Sequence, residues 1–214
     1  WRQVYRETGD NFLKAKLSAI AKNKTIWKFV LSTNLNQSVR LASREMDVLI
    51  TGAVLGAAAT GIYKIARQFA WVLVHLIEPI SQVIYPELAH LAAEKRFSDM
   101  KHVITRTAVI TGSASLLIWL GSIVFGKWIL SIAAGAEYVQ AYNVMIIFMF
   151  ALVMWGFSSY LSVGLLALGR AGKVLLVEIT AFVVFLPSLY LLLTTIGLFG
   201  AAVAQVIYFA VYSL

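Results

Sequence analysis

Cationic side chains inside two apolar segments are the residues of this sequence best suited to chemistry. Arg40, Arg44, Lys64 and Arg67 lie within segments long enough to cross a lipid bilayer. Each cation costs about 2.5–3.5 kcal/mol near the bilayer centre, so four facing lipid would cost on the order of 10 kcal/mol. We therefore expect them to face protein or a water-filled cavity. They form a candidate anion-binding site, and a polar network that only fixes helix packing is the alternative.

The polar residues of each segment share one helical face. At 100° per residue they fall within a sector of about 100°. The first face contains Thr33, Asn36, Gln37, Arg40, Arg44, Asp47 and Thr51, and the second contains Lys64, Arg67, Gln68, Trp71, His75, Glu78 and Gln82. Within these sets, the supporting polar contacts are assigned to Asn36, Gln37, Gln68 and His75.

Two carboxylates and one histidine of these faces have other candidate roles. Asp47 and Glu78 are candidates for binding a coupling ion, and Glu78 has the alternative of pairing with a cation from the other half of the transporter. His75 is either a proton relay, as intramembrane His often is, or a structural hydrogen-bonding residue. Glu178 lies near the predicted cytoplasmic interface, where hydration alone accounts for it.

The two segments are predicted to form an antiparallel hairpin turning near Gly56. In such a hairpin, facing positions have numbers that sum to about 112. Asp47 is then level with Lys64, which predicts an ion pair and leaves Arg40, Arg44 and Arg67 without carboxylate partners. Because buried charges should balance in a packing network, this excess of cations favours an anion-attracting cavity.

The composition predicts an all-α membrane protein. Apolar residues make up 60% of the 214 residues and charged residues 13%. The apolar residues form blocks of about twenty, the length of a transmembrane helix. Residues 1–27 are a cytoplasmic amphipathic segment or a solvated linker. Residues 28–214 form the transmembrane unit, with spans at about 28–54, 57–85, 104–125, 141–168, 173–195 and 197–214.

Basic residues set the expected topology. The N-terminal segment and the connections 86–103 and 169–173 carry most of the cations between spans, which places them in the cytoplasm of a multi-pass inner-membrane protein. This distribution explains the net charge of +8 without a nucleic-acid partner. There is no cysteine, and no spacing typical of a metal site, cofactor site or catalytic group. The sequence starts at Trp1 and stops within an apolar run, so we expect a piece of a longer protein.

Short motifs, taken together in order, resemble one transporter family. They begin with Arg44, 47–52 (DVLITG), 55–56 (LG) and 61–63 (GIY), and continue with 86–88 (PEL), 135–138 (GAEY) with Ala141, 167–170 (ALGR) and 197–202 (GLFGAA). This series resembles the C-terminal half of oligosaccharide flippases of the Wzx type. These transporters of O-antigen or exopolysaccharide repeats belong to the multidrug/oligosaccharidyl-lipid/polysaccharide exporter superfamily.

The resemblance implies a fold, a substrate and partners. The fold is a six-transmembrane-helix lobe of an inverted-V, two-lobe transporter that works by alternating access. The substrate is an undecaprenyl-pyrophosphate-linked oligosaccharide repeat, moved from the cytoplasmic to the outer leaflet for surface polysaccharide (including lipopolysaccharide) synthesis. The partners are the other lobe, membrane lipids and the polysaccharide polymerase and chain-length machinery. A cationic face suits the pyrophosphate, because Arg binds phosphate oxygens in a bidentate way.

Several alternatives remain at this point. Within the same superfamily, a cation-coupled multidrug antiporter should have more carboxylates than cations in its site, and a peptidoglycan-precursor flippase carries the same pyrophosphate. Outside it, a membrane glycan polymerase or ligase should have a large outer loop bearing Arg and His, which the sequence lacks. An assembly scaffold would not need unpaired intramembrane cations.

Overall fold

The computed structural model describes residues 24–213, without the side chains of 24–26, 28, 29, 43 and 44. The predicted segment 1–27 therefore lies almost entirely outside the described residues, as does the side chain of Arg44. Within 24–213 the chain is helical and contains no strand, as predicted. The elements are α1 (Lys24–Ala70), α2 (Val72–Ala93), α3 (Phe97–Ala133), a short 3-10 helix (Ala136–Ala141), α4 (Tyr142–Ala167), α5 (Ala171–Ile196) and α6 (Leu198–Tyr212).

Helix α1 is a hairpin of two limbs that meet at Gly56. The backbone of Gly56 has φ 82° and ψ 179°, a conformation that residues with a side chain rarely adopt. The limbs then run side by side: the Tyr63 hydroxyl donates to Asp47 at 2.7 Å. A Cβ built on Gly52 would lie 3.2 Å from Oγ1 of Thr60. The predicted hairpin and its register are confirmed.

The second limb of α1 continues into α2 through Trp71. The amide of Trp71 donates to the carbonyl of Arg67 at 3.0 Å, and the amide of His75 donates to the carbonyl of Trp71 at 3.1 Å. Helical hydrogen bonding is thus retained across the junction. The second limb and α2 therefore form one helical segment from the hairpin turn onward, as predicted for the second span.

The end of this helix differs from the prediction. Helix α2 passes through Pro79 and Pro86 and ends at Ala93, so Pro86 does not terminate it. Leu88 and Leu91, beyond that proline, are buried, and their packing outweighs the hydrogen bond that proline removes. Since α3 begins at Phe97, only three residues separate the two helices, and most of the predicted connection 86–103 is helical.

Helix α4 forms the centre of the bundle. It packs against α1, α2, α3, α5 and α6. The indole of Trp119 on α3 donates to the carbonyl of Ile146 at 3.0 Å. The close approach of α3 and α4 depends on glycine, because a Cβ on Gly112 would collide with the Phe157 ring. Side chains of α4 line both cavities of the candidate site.

Four helical segments of the described residues are long and apolar enough to cross a membrane: Val30–Ala70, which contains the hairpin turn at Gly56, Phe97–Ala133, Ala136–Ala167 and Ala171–Ile196. Leu198–Tyr212 is apolar but shorter. The six predicted spans are therefore confirmed only in part. Large apolar side chains cover the outer surfaces of α3 and α5, among them Leu117, Val124, Leu176 and Leu191. Such a continuous apolar exterior suits lipid rather than water.

Candidate functional site

A polar cavity of about 480 Å³ opens between α1, α2, α4, α5 and α6. Its walls combine amides, hydroxyls, charges and aromatic rings. The lining residues include Asn36, Gln37, Arg40, Glu78, Ser81, Gln82, Tyr85, Trp155, Ser159, Ser162, Glu178 and Tyr212. Among the described residues, Nδ2 of Asn36 and Oγ of Ser159 have no hydrogen-bond partner although both atoms are buried. Buried polar atoms normally have partners, and these two belong to residues of the cavity wall that lack one.

Arg40 is the only described cation that lines this polar cavity. Its Nη2 lies 3.2 Å from Oε1 of Glu78 on α2, and the two side chains are 29% and 37% exposed. Its guanidinium carbon lies 5.3 Å from the ring centroid of Trp155 on α4. The aromatic face and the carboxylate hold the guanidinium at the cavity wall while part of it remains accessible.

Glu178 brings a second carboxylate to the same wall. This residue of α5 is only 2% exposed and accepts a hydrogen bond of 2.8 Å from the Tyr208 hydroxyl. The expectation that Glu178 is simply hydrated is wrong, because packing of α6 against α5 covers it. The polar cavity therefore has one guanidinium and two carboxylates among its described lining residues.

A buried cluster lies deeper, centred on Asp47. The carboxylate is 1% exposed and accepts hydrogen bonds from Nη1 of Arg67 at 2.6 Å, the Tyr63 hydroxyl at 2.7 Å and Nε2 of Gln205 at 3.1 Å. Arg67 also lies 3.1 Å from Glu45 and 5.0 Å from the ring centroid of Trp71. This cluster joins both limbs of the hairpin to α6, beside a smaller cavity of about 40 Å³.

The predicted Asp47–Lys64 ion pair is wrong. The hairpin register places Lys64 level with Asp47, as predicted, but the side chain of Lys64 is exposed. Arg67, one helical turn further along, points inward instead and takes the carboxylate. Equal depth on two helices does not make two side chains face each other, because each residue also has a direction around its helix axis.

The expectation that Arg40 and Arg67 lack carboxylate partners is also wrong. Glu78 contacts Arg40, while Asp47 and Glu45 contact Arg67. The predicted excess of cations left Glu45 out of the count, because this residue lies outside the predicted polar face. Arg44, the other predicted unpaired cation, has no described side chain, so the prediction made for it is untouched.

The predicted polar faces divide between interior and surface. Asn36, Asp47 and Thr51 are buried, as expected of a face turned away from lipid. Beyond the hairpin turn, Lys64, Gln68 and His75 are exposed, and none lines either cavity. The structure thus brings together Asn36, Gln37, Arg40 and Glu78 of the predicted site, and it places Asp47 with Arg67 in the buried cluster.

Sequence reasoning missed four residues that complete these sites: Trp155, Glu178, Gln205 and Tyr208. Gln205 and Tyr208 are polar residues within the otherwise apolar helix Leu198–Tyr212. A polar side chain in such a helix is a signal of an internal contact. Trp155 carried no such signal, because aromatic residues are common throughout an apolar segment.

The chain matches the family model described as polysaccharide biosynthesis protein over residues 13–143. It is 28% identical to the inner membrane protein YghQ of Escherichia coli K12 over 145 residues, which are 67% of this chain and 40% of that protein. It is 27% identical to the probable low-salt glycan biosynthesis flippase Agl15 of Haloferax volcanii over 168 residues, 78% of this chain and 35% of that protein. No solved structure matches the chain.

The matched region thus spans less than half the length of either relative. The family match covers more than half of this chain and includes both limbs of the hairpin, α2 and α3. The resemblance drawn from the short motifs is confirmed. The chain is a multi-pass membrane protein that belongs to the polysaccharide biosynthesis protein family.

Proposed function

We propose that the chain is part of a membrane flippase. Its substrate would be an undecaprenyl-pyrophosphate-linked oligosaccharide repeat, moved from the cytoplasmic to the outer leaflet for surface polysaccharide synthesis. Membership of the family and similarity to a relative named as a probable glycan biosynthesis flippase support this proposal. The observation that carries it is Arg40, a partly accessible guanidinium in a polar cavity within apolar helices.

The chemistry of the cavity suits a sugar joined to a phosphate group. The guanidinium of Arg40 offers planar, paired donors to phosphate oxygens. Amides and hydroxyls near it, including Asn36, Gln37 and Ser159, match sugar hydroxyls, and Trp155 provides an aromatic face. A volume of about 480 Å³ accommodates a headgroup with one or two sugars, and the lipid chain would remain in the bilayer.

The position of the cavity fits loading from the cytoplasm. Two lining residues, Leu166 and Val174, flank the turn that carries Arg170. That turn and the connection containing Lys95 and Arg96 are the basic ones, and basic connections face the cytoplasm in most membrane proteins. Since anions move outward down an inside-negative potential at about 2.3 kcal/mol per charge per 100 mV, the proposed direction is favourable.

The exposed polar residues beyond the hairpin turn suit the translocation path. Lys64, Gln68 and His75 lie on the surface of this chain, where contact with acyl chains would be costly. We place them against the other lobe of the transporter, across the path of the headgroup. Rocking of the two lobes would then alternate access to Arg40 from the two sides of the membrane.

The test is Arg40→Ala in the complete protein, in its native host. Lipid-linked repeats should accumulate on the cytoplasmic face, with transport reduced at least ~tenfold, because a charge-assisted contact contributes about 1.5–3 kcal/mol. The matched control is Arg106→Ala, which removes an exposed arginine of α3. Arg44→Ala and Lys64→Ala in the same assay test two further predicted cations.

Normal surface polysaccharide in the Arg40→Ala cells would refute the anion site. A defect of equal size in the Arg106→Ala cells would point to a general loss of positive charge. Protein level and detergent stability must be measured alongside, so that a folding defect is not read as a transport defect.

A cation-coupled drug antiporter is the second candidate. It is favoured by the balance of the polar cavity, where Glu78 and Glu178 outnumber Arg40 among the described lining residues. A cavity that binds organic cations should lose export activity in Glu78→Gln and retain it in Arg40→Ala. The flippase proposal predicts the opposite dependence on Arg40.

A further inference from the structure

Two polar side chains in the wall of the polar cavity lack a hydrogen-bond partner among the described residues. They are Asn36 on α1, through its Nδ2 atom, and Ser159 on α4, through its Oγ atom. The two residues are 8% and 5% exposed, and both line the polar cavity. A buried polar group without a partner destabilises a folded protein, so two of them in one cavity wall are best explained by a ligand that supplies the partners.

Nearby hydroxyls of α4 are already bonded within the protein. Ser162 accepts a hydrogen bond of 2.7 Å from the Tyr212 hydroxyl of α6. Ser158 donates to the backbone carbonyl of Met154 at 3.1 Å. These two hydroxyls contribute to helix packing or to the helix itself, and Ser159 does neither through its hydroxyl.

The two unpartnered residues lie one helical turn from the guanidinium of Arg40. Its guanidinium carbon lies 5.3 Å from the ring centroid of Trp155. Asn36 comes four residues before Arg40 on α1, and Ser159 comes four residues after Trp155 on α4. Four residues are just over one turn, about 6 Å along the axis, so the residues of each helix share a face. We call Arg40 and Trp155 the charged level, and Asn36 and Ser159 the neutral level.

The neutral level lies to one side of the charged level because the two helices run in opposite directions here. The smaller cavity is lined by Asp47 of α1 and Phe148 of α4, and the polar cavity is lined by the neutral level. Residue numbers therefore fall along α1 and rise along α4 from the smaller cavity to the polar one. The charged level lines both cavities and lies between them. The neutral level is thus on the side of Leu166 and Val174, which flank the basic turn.

We propose that Asn36 and Ser159 form a subsite for the sugar ring bonded directly to the phosphate, and that this ring lies on the cytoplasmic side of Arg40. The inference rests on the proposed function, because it takes Arg40 to bind the phosphate. Rotation about χ2 of Asn36 and χ1 of Ser159 turns the two polar atoms toward the cavity. The amide then donates to a hydroxyl or acetamido oxygen of the ring, and the serine hydroxyl donates or accepts.

Such a subsite separates selectivity from the charge contact. The guanidinium of Arg40 binds a phosphate whether or not a sugar is attached to it. A buried amide and hydroxyl are satisfied only by a ligand with matching polar groups, and they remain unpaired when that ligand lacks them. The neutral level therefore distinguishes a glycosylated carrier lipid from the bare pyrophosphate.

The experiment compares glycosylated and bare prenyl pyrophosphates on the complete protein in phosphatidylcholine nanodiscs. The fluorescent probes are a short-chain prenyl pyrophosphate and three derivatives of it, which carry one glucose, one galactose or one N-acetylglucosamine. Asn36→Ala and Ser159→Ala should each bind the tightest glycosylated probe about three- to tenfold less tightly than native protein, because each removes one hydrogen bond. Their affinity for the bare probe should equal that of native protein.

The matched controls are Asn34→Ala and Ser158→Ala. Asn34 is exposed on α1, Ser158 is bonded within α4, and neither lines the polar cavity. Both variants should bind all four probes as native protein does. A loss in either control equal to that of Ser159→Ala would overturn the subsite.

Thermal unfolding gives a second measurement that a purely structural role would alter. Ser159→Ala should leave the unfolding midpoint unchanged or raise it, because the hydroxyl it removes has no partner among the described residues. If Ser159→Ala unfolds at a lower temperature than Ser158→Ala, the hydroxyl stabilises the fold and the assignment is wrong. Ser159→Ala also supplies the binding measurement if Asn36→Ala does not fold.

The remaining outcomes separate this inference from the proposed function. Arg40→Ala should weaken the binding of every probe, including the bare one. If it does so while Asn36→Ala and Ser159→Ala bind all probes as native protein does, the sugar subsite is overturned and the anion site stands. Equal losses for bare and glycosylated probes in those two variants also overturn the subsite, as does native protein that binds no glycosylated probe more tightly than the bare one. Unchanged binding of the bare probe in Arg40→Ala refutes the anion site and, with it, the placement of the ring beside a bound phosphate.

Discussion

Two ion pairs in this molecule have similar chemistry and opposite surroundings. Asp47 and Arg67 form a closed pair, in which the side chains are 1% and 11% exposed and Tyr63 and Gln205 also bind the carboxylate. Arg40 and Glu78 form an open pair at the wall of the polar cavity, 29% and 37% exposed. The separation of their charged atoms is 2.6 Å in the closed pair and 3.2 Å in the open one.

The difference assigns the two pairs to different tasks. Removing one member of a buried, multiply hydrogen-bonded pair leaves polar groups without water or partner, so the closed pair is needed for folding. Breaking the open pair should cost less, because both of its side chains are partly exposed. Intramembrane arginine therefore does not indicate function by its presence alone, and its exposure helps to decide between a structural and a binding role.

The largest expected effect is at the centre of the closed pair. Asp47→Ala removes the carboxylate that Arg67, Tyr63 and Gln205 share, and should lower the free energy of unfolding by about 3–5 kcal/mol. Thermal or denaturant unfolding of the complete protein in detergent measures this loss. Asp99→Ala, which removes a half-exposed carboxylate of α3, is the control. If Arg40→Ala is more destabilising than Asp47→Ala, the roles of the two pairs are reversed.

A smaller effect is expected for one hydrogen bond of the closed pair. Tyr63→Phe removes the fully buried hydroxyl that donates to Asp47 at 2.7 Å, and should cost about 2 kcal/mol because the acceptor is charged. Tyr190→Phe on the exposed surface of α5 is the matched control. Equal unfolding free energies for the two variants would indicate that water replaces the hydroxyl and that the cluster is not closed.

The smallest effect is expected at the edge of the closed pair. Glu45 reaches Arg67 at 3.1 Å, but its side chain is 57% exposed. Glu45→Gln should therefore change the unfolding free energy by less than about 1 kcal/mol, and the change should shrink further at high salt. A loss as large as that of Asp47→Ala would mean that exposure does not distinguish these carboxylates, and the comparison would fail.

Much of the fold was predictable because it depends on local pattern. The length of the apolar runs identified membrane-spanning helices, and the glycine at position 56 identified the hairpin turn and so the facing positions of its limbs. Helix ends were less predictable: the second span was expected to end near residue 85, whereas burial of Leu88 and Leu91 carries α2 on to Ala93. A rule based on neighbouring residues in the sequence fails where packing against other helices contributes more to stability.

The candidate site was predictable by residue type and only partly by pairing. Asn36, Gln37, Arg40 and Glu78 do line one polar cavity. Lys64 was expected to meet Asp47 because the two are level in the hairpin, yet Arg67 does so. Glu178 was expected to be hydrated because only its position along its own helix was considered, and the packing of α6 over it could not be read from the sequence.

By itself, the sequence determined that this chain is helical and membrane-bound, where it turns at Gly56 and which helix faces are too polar for lipid. These follow from bilayer thickness, side-chain hydrophobicity and helical periodicity, all readable along one segment. Only the tertiary structure decided which charges meet. Gln205 reaches Asp47 across 158 positions and Glu78 reaches Arg40 across 38, and such contacts depend on how helices rotate and pack against one another.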